Sequence, residues 1–132
     1  MAGIRGFTSW VGVVLGSSDP VALARFYSAL LGWELKTSDP TWVTMVMRDP
    51  EGRPTTSNLA FQLEETHVRP VWPGEPGTQQ MQMHLDIGVH DLEPAVEDAL
   101  ALGAQLAEFQ PQEDVRVLLD PDGHPFCLYI DR

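Results

Sequence analysis

His84 and Asp86, separated only by Leu85, place an imidazole and a carboxylate two positions apart. On an extended strand that spacing sends both side chains to one face, because successive residues alternate sides. These are groups that bind divalent metals and move protons. A plainer role is open to them too: they hydrogen-bond each other or line a metal-free pocket. Cys127 is the single cysteine, and no Lys or Arg flanks it. Nothing marks its thiol as activated, so a small buried filler is its ordinary role. His124 reads as an exposed histidine in a turn, His90 as a structural neighbour of Asp91, and His67 as a solvated residue of a connector. Gly-rich phosphate loops, a Ser/His/Asp arrangement and Cys-x-x-Cys pairs are absent.

The elements that must position these residues come as a repeat. Trp10 to Gly32 reads WVGVVLGSSDPVALARFYSALLG, and Met83 to Gly103 reads MHLDIGVHDLEPAVEDALALG. Each is a short apolar strand, an aspartate, an amphipathic stretch and a final Leu-Gly. Asp91 follows Asp19 by 72 positions, and Asp120-Pro-Asp-Gly follows Asp49-Pro-Glu-Gly by 71. Two landmarks at nearly one offset indicate a tandem duplication of a module of about 60 residues. In the first helix Leu23, Phe26, Tyr27, Leu30 and Leu31 form an apolar stripe. Asp19 is the expected N-cap, with Pro20 in the first turn and Gly32 at the left-handed end. The second helix has Asp91 as cap, Pro94 in the first turn, Val96, Ala99 and Leu100 inside, and Gly103 at its end.

Strands are expected at Trp42 to Met47 and Leu59 to Glu64, then at Gln105 to Phe109, Val115 to Leu119 and Phe126 to Ile130. The two Asp-Pro tetrads are turns between the last two strands of each module. Each module is therefore β-α-β-β-β, the first spanning residues 7–64 and the second 83–132. Residues 65–82, rich in Pro and Gly, form a connector, either a loose linker or a packed strap.

Alternation along the strands separates two faces. Val11, Val13, Leu15, Leu59, Phe61, Leu63, Leu85, Ile87, Val89, Phe126, Leu128 and Ile130 share one parity and are all apolar. That face is expected to carry the helices. The other parity holds Trp10, Gly12, Val14, Ala60, Gln62, Glu64, His84, Asp86, Gly88, Cys127 and Tyr129, a mixed lining that suits a cavity. Trp42, Met45 and Met47 suit either lining or core.

Composition bounds the partners. The 132 residues carry 19 acids against 8 basic residues, a net charge of −11, with 43% hydrophobic residues. That charge opposes nucleic acid and anionic membrane, which need clustered Lys and Arg. No stretch approaches the ~20 apolar residues of a membrane span. With no signal peptide visible at the N-terminus and one cysteine, the cytoplasm is the expected compartment.

Together, the duplicated unit, the segment ALARFYSALLGW, and MHLDIGVHDLEPAVEDALALGA followed by LLDPDGHPFCLYID resemble the vicinal oxygen chelate superfamily, the glyoxalase, bleomycin-resistance and extradiol-dioxygenase group. The likeness runs from Trp10 to Ile130 and is strongest to small glyoxalase-like members. It implies an α+β fold, a single domain in which tandem βαβββ modules pair into an open, curved mixed sheet around a cavity with helices on the outer face. It also implies dimerisation. Metal-dependent members place a residue, usually His, near the start of each module's first strand and a carboxylate in each last strand. Those positions fall here on Gly12 and His84, and on Cys127 with a counterpart at or near Gln62. The usual two-His, two-carboxylate set is thus replaced, and no cofactor is expected. A divalent metal retains one route, a rearranged site of His84 and Asp86 with Glu64 or Cys127.

Two functions follow from the resemblance. One is a metal-free small-molecule-binding protein, its pocket lined by Trp10, Gly12, Gln62, Glu64, Cys127 and Tyr129. A planar or cationic guest suits it. The other is a glyoxalase-like lyase or isomerase acting on a small carbonyl compound. There His84, assisted by Asp86, is the general base and Gln62 polarises the enolate. A structural partner with a vestigial pocket ranks last.

Overall fold

The computed structural model describes residues 3–132. The chain divides into two compact units, Met1–Glu65 and Thr66–Arg132. In the first unit, β1 (Val11–Ser17) leads to α1 (Pro20–Leu31), then β2 (Leu35–Asp39), β3 (Trp42–Arg48) and β4 (Pro54–Leu63). These make a four-stranded sheet in the order β1-β4-β3-β2. β1 runs parallel to β4, and the other pairs are antiparallel. The second unit repeats the plan with β5 (Leu85–Val89), α2 (Leu92–Ala101), β6 (Gln105–Leu106), β7 (Val115–Leu119) and β8 (Pro125–Ile130) in the order β5-β8-β7-β6. Each unit is an open mixed sheet with one helix. The class is α+β and each unit is βαβββ.

The repeat extends to single hydrogen bonds. Glu64 N donates to Ser17 O at 2.8 Å, and Asp131 N donates to Val89 O at 2.9 Å. Both bonds tie the exit of the last strand to the end of the first. The Asp-Pro turns also match: the side chain of Asp49 accepts from the backbone N–H groups of Glu51 and Arg53, and that of Asp120 from those of Asp122 and His124. A short oxygen acceptor closing a four-residue loop explains why both turns begin with Asp.

Helix α1 lies on the face of Phe61. Tyr27 stacks on Phe61 with ring centroids 5.7 Å apart, and Leu23, Phe26, Val43, Met45 and Leu59 complete the buried core there. Asp19 caps α1 as expected, accepting from Ala22 N at 3.2 Å, and Gly32 takes the left-handed position at φ 73°. In the second unit a groove of about 440 Å³ runs between α2 (Leu92, Val96) and the strand residues Leu106 and Arg116. Arg116 is paired with Leu128, and Leu106 with Leu118, so α2 shares the face of Phe126 and Leu128. Both helices therefore sit on the expected apolar parity.

Several expectations need correction. Of the twelve apolar strand residues, Leu59, Phe61, Phe126 and Leu128 are buried, but Val11 is 57% exposed and the other first-strand members are only half-buried. The reason is position: β1 and β5 are edge strands, and the helix packs on the inner strands. Met45 is core, and Leu100 is exposed. Asp91 stands at the N-cap of α2, but its side chain makes no capping bond. β6 has two residues where five were expected, and β4 starts at Pro54, five residues earlier than expected. β2, Leu35–Asp39, was given no bounds by the sequence.

The connector is packed, not loose. His67 Nε2 lies 2.8 Å from Asp122 O, and Arg69 Nη1 donates to Pro121 O at 2.6 Å. The His67 and His124 rings lie 5.1 Å apart, and Trp72 stacks on Phe109 at 5.8 Å. His67 and His124 are half-buried, which corrects their reading as solvated and exposed. Among the described residues no helix is long and apolar enough to cross a membrane.

Candidate functional site

Away from its helix, each sheet presents the mixed parity. In the first unit β1 contributes Gly12, Val14 and Gly16, paired in register with Asn58, Ala60 and Gln62 of β4. β3 adds Thr44, opposite Ala60, and Trp42, opposite Gln62. A concavity of about 490 Å³ opens here, lined by Lys36, Asp39, Thr41, Trp42, Thr44 and Asn58. Trp42 is 40% exposed, so it lines this hollow and is not core. Asp39 accepts from the backbone N–H of Thr41 at 2.8 Å and from its hydroxyl at 2.7 Å. Those two bonds, the backbone one foremost, hold the Asp39 carboxyl below its ordinary pKa and keep it anionic.

The expected lining residues of this unit are placed as follows. Trp10 precedes β1, is exposed, and lays its ring over Gly12. A Cβ at Gly12 would stand 2.7 Å from Cη2 of that ring and 2.6 Å from Oδ1 of Asn58. The glycine is what lets these two side chains close over the strand. Gln62 is exposed and donates to Glu64 Oε1 at 3.3 Å. Glu64 folds across Gly16, its Cγ 2.8 Å from where a Cβ would be.

In the second unit His84 stands just before β5, Asp86 lies in it, and Cys127 of β8 is paired with Asp86 in parallel register. His84 Nε2 approaches Asp86 Oδ1 to 3.1 Å. One ligand atom from each of His84, Asp86 and Cys127 falls within 4.8 Å of the others. Burial, and then the charge and hydrogen bond of Asp86, push the Cys127 thiol above its ordinary pKa. Tyr129, half-buried, lies two residues along on the same face, opposite Gly88. His90 is exposed on the other parity. The structure thus unites three of the residues singled out by sequence, His84, Asp86 and Cys127.

Strand register corrects one equivalence. Val14 and Asp86 occupy the same repeat position; Val14 pairs with Ala60 and Asp86 with Cys127. The counterpart of Cys127 is therefore Ala60, buried and without a donor, while Gln62 answers Tyr129. The slip arose because β4 is longer than β8, 10 residues against 6. Asn58, Thr44, Lys36 and Asp39 were missed as lining residues. Asn58 shares the parity of Ala60 and Gln62, so extending that strand by one residue would have found it.

These positions also test a divalent metal of the kind such folds carry. Gly12 and Ala60 offer no donor atom in the first unit, and the space beyond Gly12 is filled by Trp10 and Asn58. The usual four-position set is therefore absent. His84, Asp86 and Cys127 nevertheless offer nitrogen, oxygen and sulfur from one unit, a donor set that fits a zinc-class ion.

The duplicated βαβββ units, each an open mixed sheet with one helix, place the chain in the vicinal oxygen chelate superfamily. A sequence profile of the glyoxalase-like domain matches residues 12–129, and the chain belongs to that family. Among solved structures it is similar to a glyoxalase-related enzyme from Fulvimarina pelagi, at 24% identity over 95% of this chain and 89% of that one, with a TM-score of 0.64. It is also similar to a glyoxalase/bleomycin resistance protein/dioxygenase family enzyme from Burkholderia phytofirmans, at 21% identity over 89% and 94%, TM-score 0.63. A third is a mutant of the fosfomycin resistance protein FosX from Listeria monocytogenes, complexed with Mn(II) and 1S,2S-dihydroxypropylphosphonic acid, at 13% identity over 98% and 93%, TM-score 0.67. No curated protein sequence matches the chain.

Proposed function

We propose that this protein binds a small molecule on the helix-free face of its sheets, as a glyoxalase/bleomycin-resistance-type protein without the family's usual metal set. The observation that carries the reading is the hollow of about 490 Å³ on the first unit. Its volume lies within the 300–1,000 Å³ typical of drug-sized sites. Trp42 supplies an aromatic plane that suits a flat or cationic guest, Thr44 and Asn58 supply polar groups, and Lys36 and Asp39 supply one charge of each sign. The net charge of −11 attracts the same class. The test is a panel of planar and cationic compounds read by melting temperature and tryptophan fluorescence. A binding compound raises the melting temperature progressively with its concentration, and Trp42→Ala abolishes the rise. A panel with no shift in either signal refutes the reading.

A second reading, a lyase or isomerase on a small carbonyl compound, is favoured by the 3.1 Å contact of His84 with Asp86. Asp86 there fixes the imidazole so that Nδ1 is free to take a proton next to a carbonyl. Turnover unchanged in His84→Ala eliminates this role.

The exposed apolar residues Ile4, Phe7, Trp10, Val11 and Val14, on and before edge strand β1, support a homodimer, tested by light scattering of the purified chain. The free thiol of Cys127 accords with a cytoplasmic location.

A further inference from the structure

We infer that His84, Asp86 and Cys127 form a divalent-metal site held wholly within Thr66–Arg132, and that its sulfur donor makes it select zinc and cobalt(II) over manganese(II) and magnesium. This goes beyond the ligand-binding reading and does not depend on it. Asp86 and Cys127 face each other across the β5–β8 pair, and His84 reaches the same face from two residues before Asp86. Bond lengths of 2.0–2.3 Å to N, O and S put the ligand atoms of a tetrahedral ion roughly 3.3–3.8 Å apart. His84 and Asp86 already stand at 3.1 Å, and all three ligand atoms lie within 4.8 Å. His84 and Asp86 are exposed, so small rotations of their side chains suffice to close the set, and the fourth position is left to water.

Selectivity follows from the donor types. Manganese and magnesium prefer all-oxygen shells, whereas thiolate and imidazole favour zinc and its spectroscopic substitute cobalt(II). Uptake breaks the S–H bond of Cys127, leaves its electron pair in the metal–sulfur bond and passes the proton to water, with no change of oxidation state. His84 and Cys127 stand at two of the positions where the resemblance places metal ligands; Asp86 does not, and neither Gly12 nor Ala60 takes part. Every donor comes from the second unit.

The experiment is a titration of the full chain, reduced, tag-free and stripped with chelator, with cobalt(II). Expected are a near-ultraviolet sulfur-to-cobalt charge-transfer band and visible d–d bands of tetrahedral intensity. Zinc displaces cobalt and removes both, while excess manganese(II) leaves them in place. Cys127→Ser abolishes the charge-transfer band and weakens cobalt at least roughly tenfold, and His84→Ala weakens it comparably, with folding checked by circular dichroism. His90→Ala changes neither. No cobalt or zinc uptake at micromolar concentration overturns the inference. So do cobalt bound without the sulfur band, manganese competing equally with zinc, and undiminished affinity in Cys127→Ser. Because the probe is metal alone, failure here leaves the small-molecule reading of the first unit standing.

Discussion

The strand orders β1-β4-β3-β2 and β5-β8-β7-β6 are one plan built twice, yet their helix-free faces carry different chemistry. Where the second unit has His84, the first has Gly12; Asp86 answers Val14; Cys127 answers Ala60. What both retain is structural. Gly16 lies under Glu64 and Gly88 under Asp131, a carboxylate folded over a glycine at the same repeat position. The helix sides differ the other way. Tyr27 on Phe61 anchors α1 with two aromatic rings, while the residue of α2 at the repeat position of Tyr27 is Ala99. Duplication fixes the positions; the side chains then divide the labour, with an open aromatic hollow in one unit and the titratable cluster in the other.

The contrast breaks or sharpens through substitution, the largest effect first. Phe61→Ala removes the aromatic anchor and should cost about 3–5 kcal/mol, read by urea or thermal unfolding. A cost near that of an exposed residue would mean that the ring stack does not hold the first unit together.

The two Asp-Pro turns come next. Asp120 is 1% exposed and accepts two backbone N–H groups, so Asp120→Ala should lose about 2–3 kcal/mol. Asp49, with its side chain 30% exposed, should matter less. Its pKa is lowered, chiefly by the backbone N–H of Arg53. The stability it confers is therefore present above the unfolded carboxylate value of about 3.9 and lost as pH falls through the lower folded value. Asp49→Asn should flatten the acid limb of a stability–pH curve in that window.

Gly12→Ala must push aside the Trp10 ring and the Asn58 side chain. The expected loss is on the order of 1 kcal/mol, with a shift in tryptophan emission. An unchanged spectrum would contradict the close cover over Gly12. The smallest effect is kinetic. The raised pKa of Cys127 keeps the thiol protonated at neutral pH, so its alkylation should be slow and reach its midpoint above that of a free thiol. Asp86→Asn should lower that midpoint only part of the way, because burial is the larger cause.

Local pattern made much of this readable. The two helices, the turns and the face of His84, Asp86 and Cys127 follow from periodicity and from a repeat that recurs at nearly one offset. Features set by longer-range geometry did not. Edge position left Val11 exposed despite its parity, and the packing of His67 and Arg69 on the Asp120 turn joins residues more than 50 apart in sequence. β2 carries Leu-Lys-Thr-Ser-Asp, which lacks an apolar alternation, so the strand that brings Asp39 to the hollow gave no signal. The longer β4 hid both Asn58 and the true counterpart of Cys127.

The central claim, that the helix-free hollow takes a small molecule, is met most directly by the indole N–H resonances. Trp10, Trp33, Trp42 and Trp72 give four signals, assignable by single Trp→Phe variants. Titrating a compound that raises the melting temperature should move the Trp42 signal first, with Trp33 unmoved. A compound that binds while Trp42 stays in place would contradict the account.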